Sequence, residues 1–293
     1  MPVILVTGAN GQLGGELVPL LRSVGTVVAA DRNTLDIGNA DAVSGMLRDL
    51  RPSIVVNTAA YTAVDRAESD RERAFAINAV APGVLAECSK RVGALFVHYS
   101  SDYVFDGRSR VPYTEEASPA PLSVYGASKL EGEQRIAASG VQALVFRTSW
   151  VYGLRGANFL VTIRRLAAER DELRIVDDQV GVPNWSRALA RATRSVLELG
   201  REALVERVGL YHLSCAGEAT WYRFAQAFVG DTPRARLLPI ATSDYPTPAR
   251  RPAYGVLDTR KFARTFGFAL PEWRAALDEC LASPATPISG VVG

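Results

Sequence analysis

The stretch Val3-Ile4-Leu5-Val6-Thr7-Gly8-Ala9-Asn10-Gly11-Gln12-Leu13-Gly14 decides the fold. Val3 to Val6 is a short apolar run with β-branched residues, the pattern of a buried strand. From Leu13 to Val24 apolar residues recur at helical spacing. Gly8, Gly11 and Gly14 stand between the two. There, one glycine permits a tight turn, one lets the backbone approach a phosphate, and one lets helix and strand pack closely. The helix start then offers unpaired N–H groups to a pyrophosphate. A glycine pattern alone is weak; the strand–turn–helix setting is what makes it informative. The GxxGxxG spacing also differs from the GxGxxG of ordinary dehydrogenases.

Outward from that loop, Val27 to Ala30 reads as a second strand ending at Asp31. An acid at that strand end would meet an adenosine ribose. Asp31 accepts hydrogen bonds from a 2′-hydroxyl and repels a 2′-phosphate, whereas Arg32 attracts the phosphate. Side by side they leave NADH and NADPH both open. Ile54–Asn57, 94–99 and 143–147 read as further strands, with helices over 74–92 and 122–138. Strands alternating with helices imply parallel βαβ units with right-handed crossovers. The fold class is therefore α/β, a Rossmann-like doubly wound parallel sheet with a smaller C-terminal substrate-binding domain. Residues 1–150, with part of 185–208, are expected to form the nucleotide-binding domain. Residues 151–184 and 209–293 are expected to be mainly substrate-binding, with helices over 158–170 and 187–199. Pro-rich stretches at 245–248 and 251–252 suggest irregular structure there. The tail beyond residue 282 is small and weakly patterned.

Bulk properties narrow the function classes. The 293 residues are 48% hydrophobic, enough for a substantial core. Against 33 basic residues stand 31 acidic ones, a net charge of +2. That balance gives no case for nucleic acid or an anionic membrane as partner. Cys88, Cys215 and Cys280 form no CxxC pair, which speaks against zinc ribbons and redox dithiols and fits a reducing compartment. Met1 to Thr7 lacks a charged n-region and a cleavage site. No apolar stretch reaches membrane-spanning length. A cytoplasmic protein is expected.

Tyr125-Gly126-Ala127-Ser128-Lys129 places Tyr and Lys four apart on one helix face. A free phenol ionises near pH ~10, and a nearby ammonium lowers that value. Tyr125 could then give a proton to a carbonyl being reduced. A YxxxK spacing is common, so its setting matters. Ser100-Ser101-Asp102-Tyr103 follows directly after a strand, where doubly wound sheets bind ligands.

Together the glycine loop, Ser100 to Phe105 and the YxxxK pair resemble the extended short-chain dehydrogenases/reductases. Further segments resemble the dTDP-4-dehydrorhamnose reductase family within them: 57–65, 98–105, 146–153, 178–183, 209–213 and 245–252. The resemblance runs from about residue 3 to 280. It implies hydride transfer from NADPH or NADH to C4 of a dTDP-4-keto-6-deoxysugar. Tyr125 would protonate the incipient alkoxide, and Lys129 would tune Tyr125 and hold the nicotinamide ribose. Ser101 would orient the keto oxygen; relatives often carry Thr there. Asp102, Tyr103 and Trp150 would contact the sugar, and Arg251 the diphosphate. Cofactor contacts would come from Gly8, Gly11, Gln12, Leu13 and Gly14, from Asp31, Arg32, Asp36 and Ile37, and from Ala59, Ala60, Tyr61 and Thr62. Some relatives have His in place of Tyr61. The elimination pair of the 4,6-dehydratases is absent, since Tyr103 follows Asp102. Epimerases share the Tyr–Lys pair, and the later segments favour a reductase with exchangeable cofactor.

Other features invite metal or acid–base readings and are set aside. His98 and His212 lie in apolar stretches and read as structural. Asp177-Asp178 reads as a solvated acid pair, and Trp221, Tyr222 and Phe224 as core. Of the acids that hold a cation at a dimer contact in some relatives, only Glu16 has a counterpart here, so no metal is expected. The chain is expected to act as a monomer or homodimer. Two alternatives stay open: a 4-ketoreductase for another dTDP-deoxysugar of antibiotic assembly, and a non-catalytic regulatory subunit like that of methionine adenosyltransferase.

Overall fold

A computed structural model of the chain describes residues 1–230 and 235–283. The weakly patterned tail lies outside these from residue 284 on. The strands Val3–Thr7 (β1), Thr26–Ala30 (β2), Ile54–Asn57 (β3), Leu95–Ser101 (β4) and Ala143–Thr148 (β5) form one sheet. Gly209–His212 is its sixth strand. The order is Gly209–His212, β5, β4, β3, β1, β2, with every neighbouring pair parallel. β1 lies between β2 and β3, so the winding reverses at β1 and opens a crevice beyond the strands' carboxyl ends.

Alternate residues of each strand feed two cores. Ile4 and Val6 pack with Leu17, Val97, Phe146 and Leu189, whereas Leu5 packs with Val43, Leu85, Phe96 and Ile136. The first core also takes in Phe224, Phe262 and Leu277 from the C-terminal half. The two halves therefore share one continuous core rather than meeting across a thin interface. The sequence reading placed 209 onward mainly on the substrate side. The structure instead puts 209–212 in the sheet, because Tyr211 buries against Phe146 and Phe266. A smaller unit does form beside the sheet. There the parallel strands Glu172–Val176 and Arg236–Ile240 pair, and Ile163, Leu173, Ile175 and Ala225 share a separate core.

Two helical features depart from expectation. Ala40–Leu50 is a helix that the sequence reading left out, capped by the Asn39 side chain accepting from Ala42 N at 3.1 Å. The helix expected over 74–92 is three pieces: Arg71–Phe75, a π-helical turn at Ala76–Val80, and Ala81–Val92. The extra residue of the π turn aims Asn78 at the loop after β3. There its Oδ1 accepts from Tyr61 N at 2.8 Å and its Nδ2 donates to Tyr61 O at 3.0 Å.

Candidate active site

A cleft of about 630 Å³ opens beyond the carboxyl ends of β1 to β5. At one end Gly8, Gly11, Gln12 and Leu13 form its wall, facing Asp31, Arg32, Asp36 and Ile37. The loop Ala59 to Thr62 runs along it, and Tyr99, Ser100, Tyr125, Lys129 and Thr148 form the other end. Gly8 has a positive φ of 70°, and a Cβ there would stand 2.6 Å from Ala59 N. Glycine is required for that approach. Gly14 is not in the wall; it lies beneath it, where a Cβ would stand 2.2 Å from Gly8 O. The backbone N–H groups of Gln12 and Leu13 make no hydrogen bond within the described protein. Donors left free beside a glycine cradle fit the pyrophosphate of a dinucleotide.

Asp31 is held by its own turn. Its Oδ1 accepts from Asn33 N at 2.9 Å and Thr34 N at 3.0 Å, and its Oδ2 from Asn10 Nδ2 at 2.7 Å. The Thr34 bonds hold its carboxyl below the usual range. Arg32 beside it is exposed and forms no ion pair within the described protein.

The helix Val124–Ser139 begins at Ser123, whose hydroxyl accepts from Gly126 N at 3.2 Å. That start brings Tyr125 and Lys129 to the cleft on one face. Burial pushes the Tyr125 phenol up to about 12, with the nearby Ser101 hydroxyl pulling the other way. Burial likewise pushes the Lys129 ammonium down to about 8, with Glu133 opposing. The spacing argument expected an ammonium near the phenol on the same helix face, and both residues line the cleft. Lys129 Nζ donates to Tyr99 O at 2.6 Å, its long side chain reaching to the end of β4.

Ser101 and Asp102, expected at the substrate, are buried and do not line the cleft; they follow Ser100, which does. Ser101 Oγ accepts from Tyr103 N at 3.1 Å and donates to Asp102 Oδ1 at 3.0 Å. Asp102 is 1% exposed, and burial raises its carboxyl to about 7. Its Oδ2 has no partner and lies against Gly255. Tyr103 meets Tyr125 edge-on, with ring centroids 5.5 Å apart.

Trp150 is held at a positive φ of 41°. Asn184 pins that backbone by donating from its N to Trp150 O at 3.1 Å and from Nδ2 to Ser149 O at 2.8 Å. The Trp150 ring stacks on Trp221, centroids 3.5 Å apart, and packs against Gly181. Trp221, expected as core, is therefore half-buried and covers one face of Trp150. Phe224 is core, whereas Tyr222 is half-buried. Arg251 does not line the cleft. Its fork is taken by Asp65, at 3.1 and 2.7 Å, and also bonds Thr247 Oγ1.

Several cleft residues escaped the sequence reading: Asn10, Thr58, Arg73, Ile77, Thr148 and the loop Gly156-Ala157. The rule that ligands lie beyond strand ends would have found Thr148. The 153–158 loop reaches the cleft through Asn158, whose Nδ2 donates to Gln12 Oε1 at 2.9 Å, a contact between residues half the chain apart that no local pattern signals. Asp177 and Asp178, read as solvated, bond Thr220 and Thr242 and so tie the loop to its neighbours. Glu16 is ion-paired with Arg187 at 2.7 Å. His212 is buried, and burial pushes its imidazole down to about 3, so it is neutral.

A family model described as the RmlD substrate binding domain matches residues 1–285. A dTDP-4-dehydrorhamnose reductase of Burkholderia thailandensis is 48% identical over 290 residues, covering 95% of this chain and 97% of its own. A crystal structure of a dTDP-4-dehydrorhamnose reductase from Clostridium acetobutylicum superposes with a TM-score of 0.90 at 39% identity, covering 96% of this chain and 98% of its own. One from Bacillus anthracis, solved in complex with NADP, superposes at 0.88 with 35% identity, covering 96% and 99%. A glycine cradle at one end of the cleft, a Tyr–Lys pair at the other, and these matches along nearly the whole chain agree: it belongs to the dTDP-4-dehydrorhamnose reductase family.

Proposed function

We propose that the protein reduces the C4 keto group of dTDP-4-dehydro-6-deoxy-L-mannose (dTDP-4-dehydrorhamnose), giving dTDP-L-rhamnose, with NADPH or NADH as cofactor. The observation that carries this is the single cleft joining the Gly8–Leu13 cradle to Tyr125 and Lys129. The reduced nicotinamide supplies the hydride when bound. Everything else falls to the chain's own groups.

Tyr125 gives its phenolic proton to the C4 oxygen as negative charge develops there. A phenol whose acidity is suppressed by burial keeps that proton until the transition state calls for it. Lys129 carries a positive charge within the same buried end of the cleft and stabilises the phenolate left behind. Ser101 orients the keto oxygen through its hydroxyl. Asp102, Tyr103 and Trp150 surround the sugar. Arg251 would take the diphosphate by exchanging its Asp65 partner for a phosphate of similar geometry. The enzyme works in the cytoplasm as a monomer or homodimer, a placement supported by three free, buried cysteines.

Tyr125→Phe tests the assignment, because it removes only the hydroxyl. Turnover should fall by about a hundredfold or more, the range of a lost general acid. Cofactor affinity, measured by nicotinamide fluorescence, should change little. Near-normal turnover would remove Tyr125 from this role.

A further inference from the structure

The chain has two histidines, and the reaction just described gives His98 no task. It lies in β4, 1% exposed, with its ring between Asn57 and Lys129. His98 Nδ1 is 3.0 Å from Asn57 Nδ2, and His98 Nε2 is 3.5 Å from Lys129 Nζ.

The orientation of the Asn57 amide is fixed by its other end. Its Oδ1 accepts from the Thr7 hydroxyl at 2.7 Å and from Ala59 N at 3.1 Å. A backbone N–H can only donate, so the atom facing Ala59 is the amide oxygen. The NH₂ end therefore faces His98 and donates to Nδ1. A neutral imidazole whose Nδ1 accepts carries its proton on Nε2. Burial, with the Lys129 charge beside it, holds the ring well below the ordinary histidine range, so the ring is neutral. An N–H is thus aimed at Lys129 Nζ.

A free amine has a lone pair to receive that N–H; an ammonium has none. Two neighbours favour the ammonium instead: the Tyr99 carbonyl at 2.6 Å, and Glu133 one turn along the same helix. The remaining charged or titratable groups from the packed elements are Arg147 on β5, which is paired with Glu133, Asp102 and Tyr103 after β4, Tyr125 on the helix itself, and Arg73 across the cleft. None of these offers Nζ a donor aligned as His98 does.

We propose that His98, fixed as the Nε2–H tautomer by Asn57, is a positioning residue that opposes the ammonium form of Lys129 and so sets how far up in pH that lysine keeps its charge. The same Asn57 amide is anchored on Thr7 and Ala59, which flank the glycine cradle, so the protonation of the lysine is tied to the geometry of the cofactor end. This inference rests on Lys129 serving the reduction proposed above. Its primary test does not depend on turnover.

With only two histidines, ¹⁵N-histidine NMR of the intact protein resolves each ring. His98 should remain neutral and Nε2-protonated between pH 6 and 9 (about the span on either side of an ordinary histidine). Its ring shifts should follow a midpoint belonging to Lys129, and that midpoint should vanish in Lys129→Met. An Nδ1-protonated ring, an imidazolium above pH ~6, or shifts unchanged by Lys129→Met would overturn the proposal. In kinetics, His98→Phe removes the opposing N–H. The alkaline limb of kcat/KM, where the ammonium is lost, should then move up by about half a pH unit or more. A folded His98→Phe enzyme whose limb stays in place would overturn it as well. Should that variant not fold, the tautomer measurement decides by itself.

Discussion

Asp31 and Arg32 pose at the scale of single residues a question that their types could not answer. The acid suggests a ribose hydroxyl and the base a phosphate. The structure shows that Asp31 already accepts from Asn10, Asn33 and Thr34. A carboxylate so occupied shapes its own turn and has less capacity left to select a hydroxyl. Arg32, in the cleft wall and without an ion-pair partner among the described residues, is the group open to a 2′-phosphate. Arg32→Ala should therefore raise the KM for NADPH several-fold, about what one exposed charge contact contributes, and leave the KM for NADH nearly unchanged. Equal effects on both cofactors would show that Arg32 does not discriminate. Residue-scale chemistry was legible in the sequence as far as placement goes: the four-residue spacing puts Tyr125 and Lys129 on one helix face, and both line the cleft. It was not legible where a partner decides the role. The engagement of Arg251 with Asp65 and of Lys129 with the Tyr99 carbonyl are set by distant parts of the chain.

At the scale of elements, the helix Val124–Ser139 carries Tyr125 and Lys129 and is placed by close backbone contact. A Cβ on Gly126 would stand 2.1 Å from the Tyr103 carbonyl oxygen. Glycine inside a helix ordinarily costs about 1 kcal/mol relative to alanine. Here the clash is with backbone and outweighs that gain. Gly126→Ala should lower stability by about 1–3 kcal/mol, read as a lower urea midpoint, and should reduce turnover by displacing Tyr125. An unchanged or higher midpoint would show that the helix has room to move. Strands were the most legible elements, since β1 to β5 each contain a short apolar run rich in β-branched or aromatic residues. The Ala40–Leu50 helix carried readable signals: an Asn39 cap, and Val43, Met46, Leu47 and Leu50 at helical spacing. The π turn at Ala76–Val80 was not readable. Its apolar spacing suits an ordinary helix, whereas the turn serves to bring Asn78 to the Tyr61 backbone and to the Ser128 hydroxyl.

At the scale of the whole molecule, the cleft exists because two halves of the chain share one core. Phe224 and Leu277 pack into the same cluster as β1 and β4, while Asn158 reaches across to Gln12 and Trp221 covers Trp150. The doubly wound class followed from the alternation of strands and helices. The division between cofactor and substrate regions was harder to read, because the strand–helix alternation loosens near Trp150 while one core runs through both halves. The most direct measurement supplies purified protein with dTDP-4-keto-6-deoxyglucose, a 3,5-epimerase and either NADPH or NADH, and follows loss of the reduced nicotinamide and the sugar product by NMR. The account predicts consumption that requires both the sugar and the epimerase, yields dTDP-L-rhamnose, and is lost in Tyr125→Phe. No consumption with either cofactor, or consumption that Tyr125→Phe leaves intact, would contradict it.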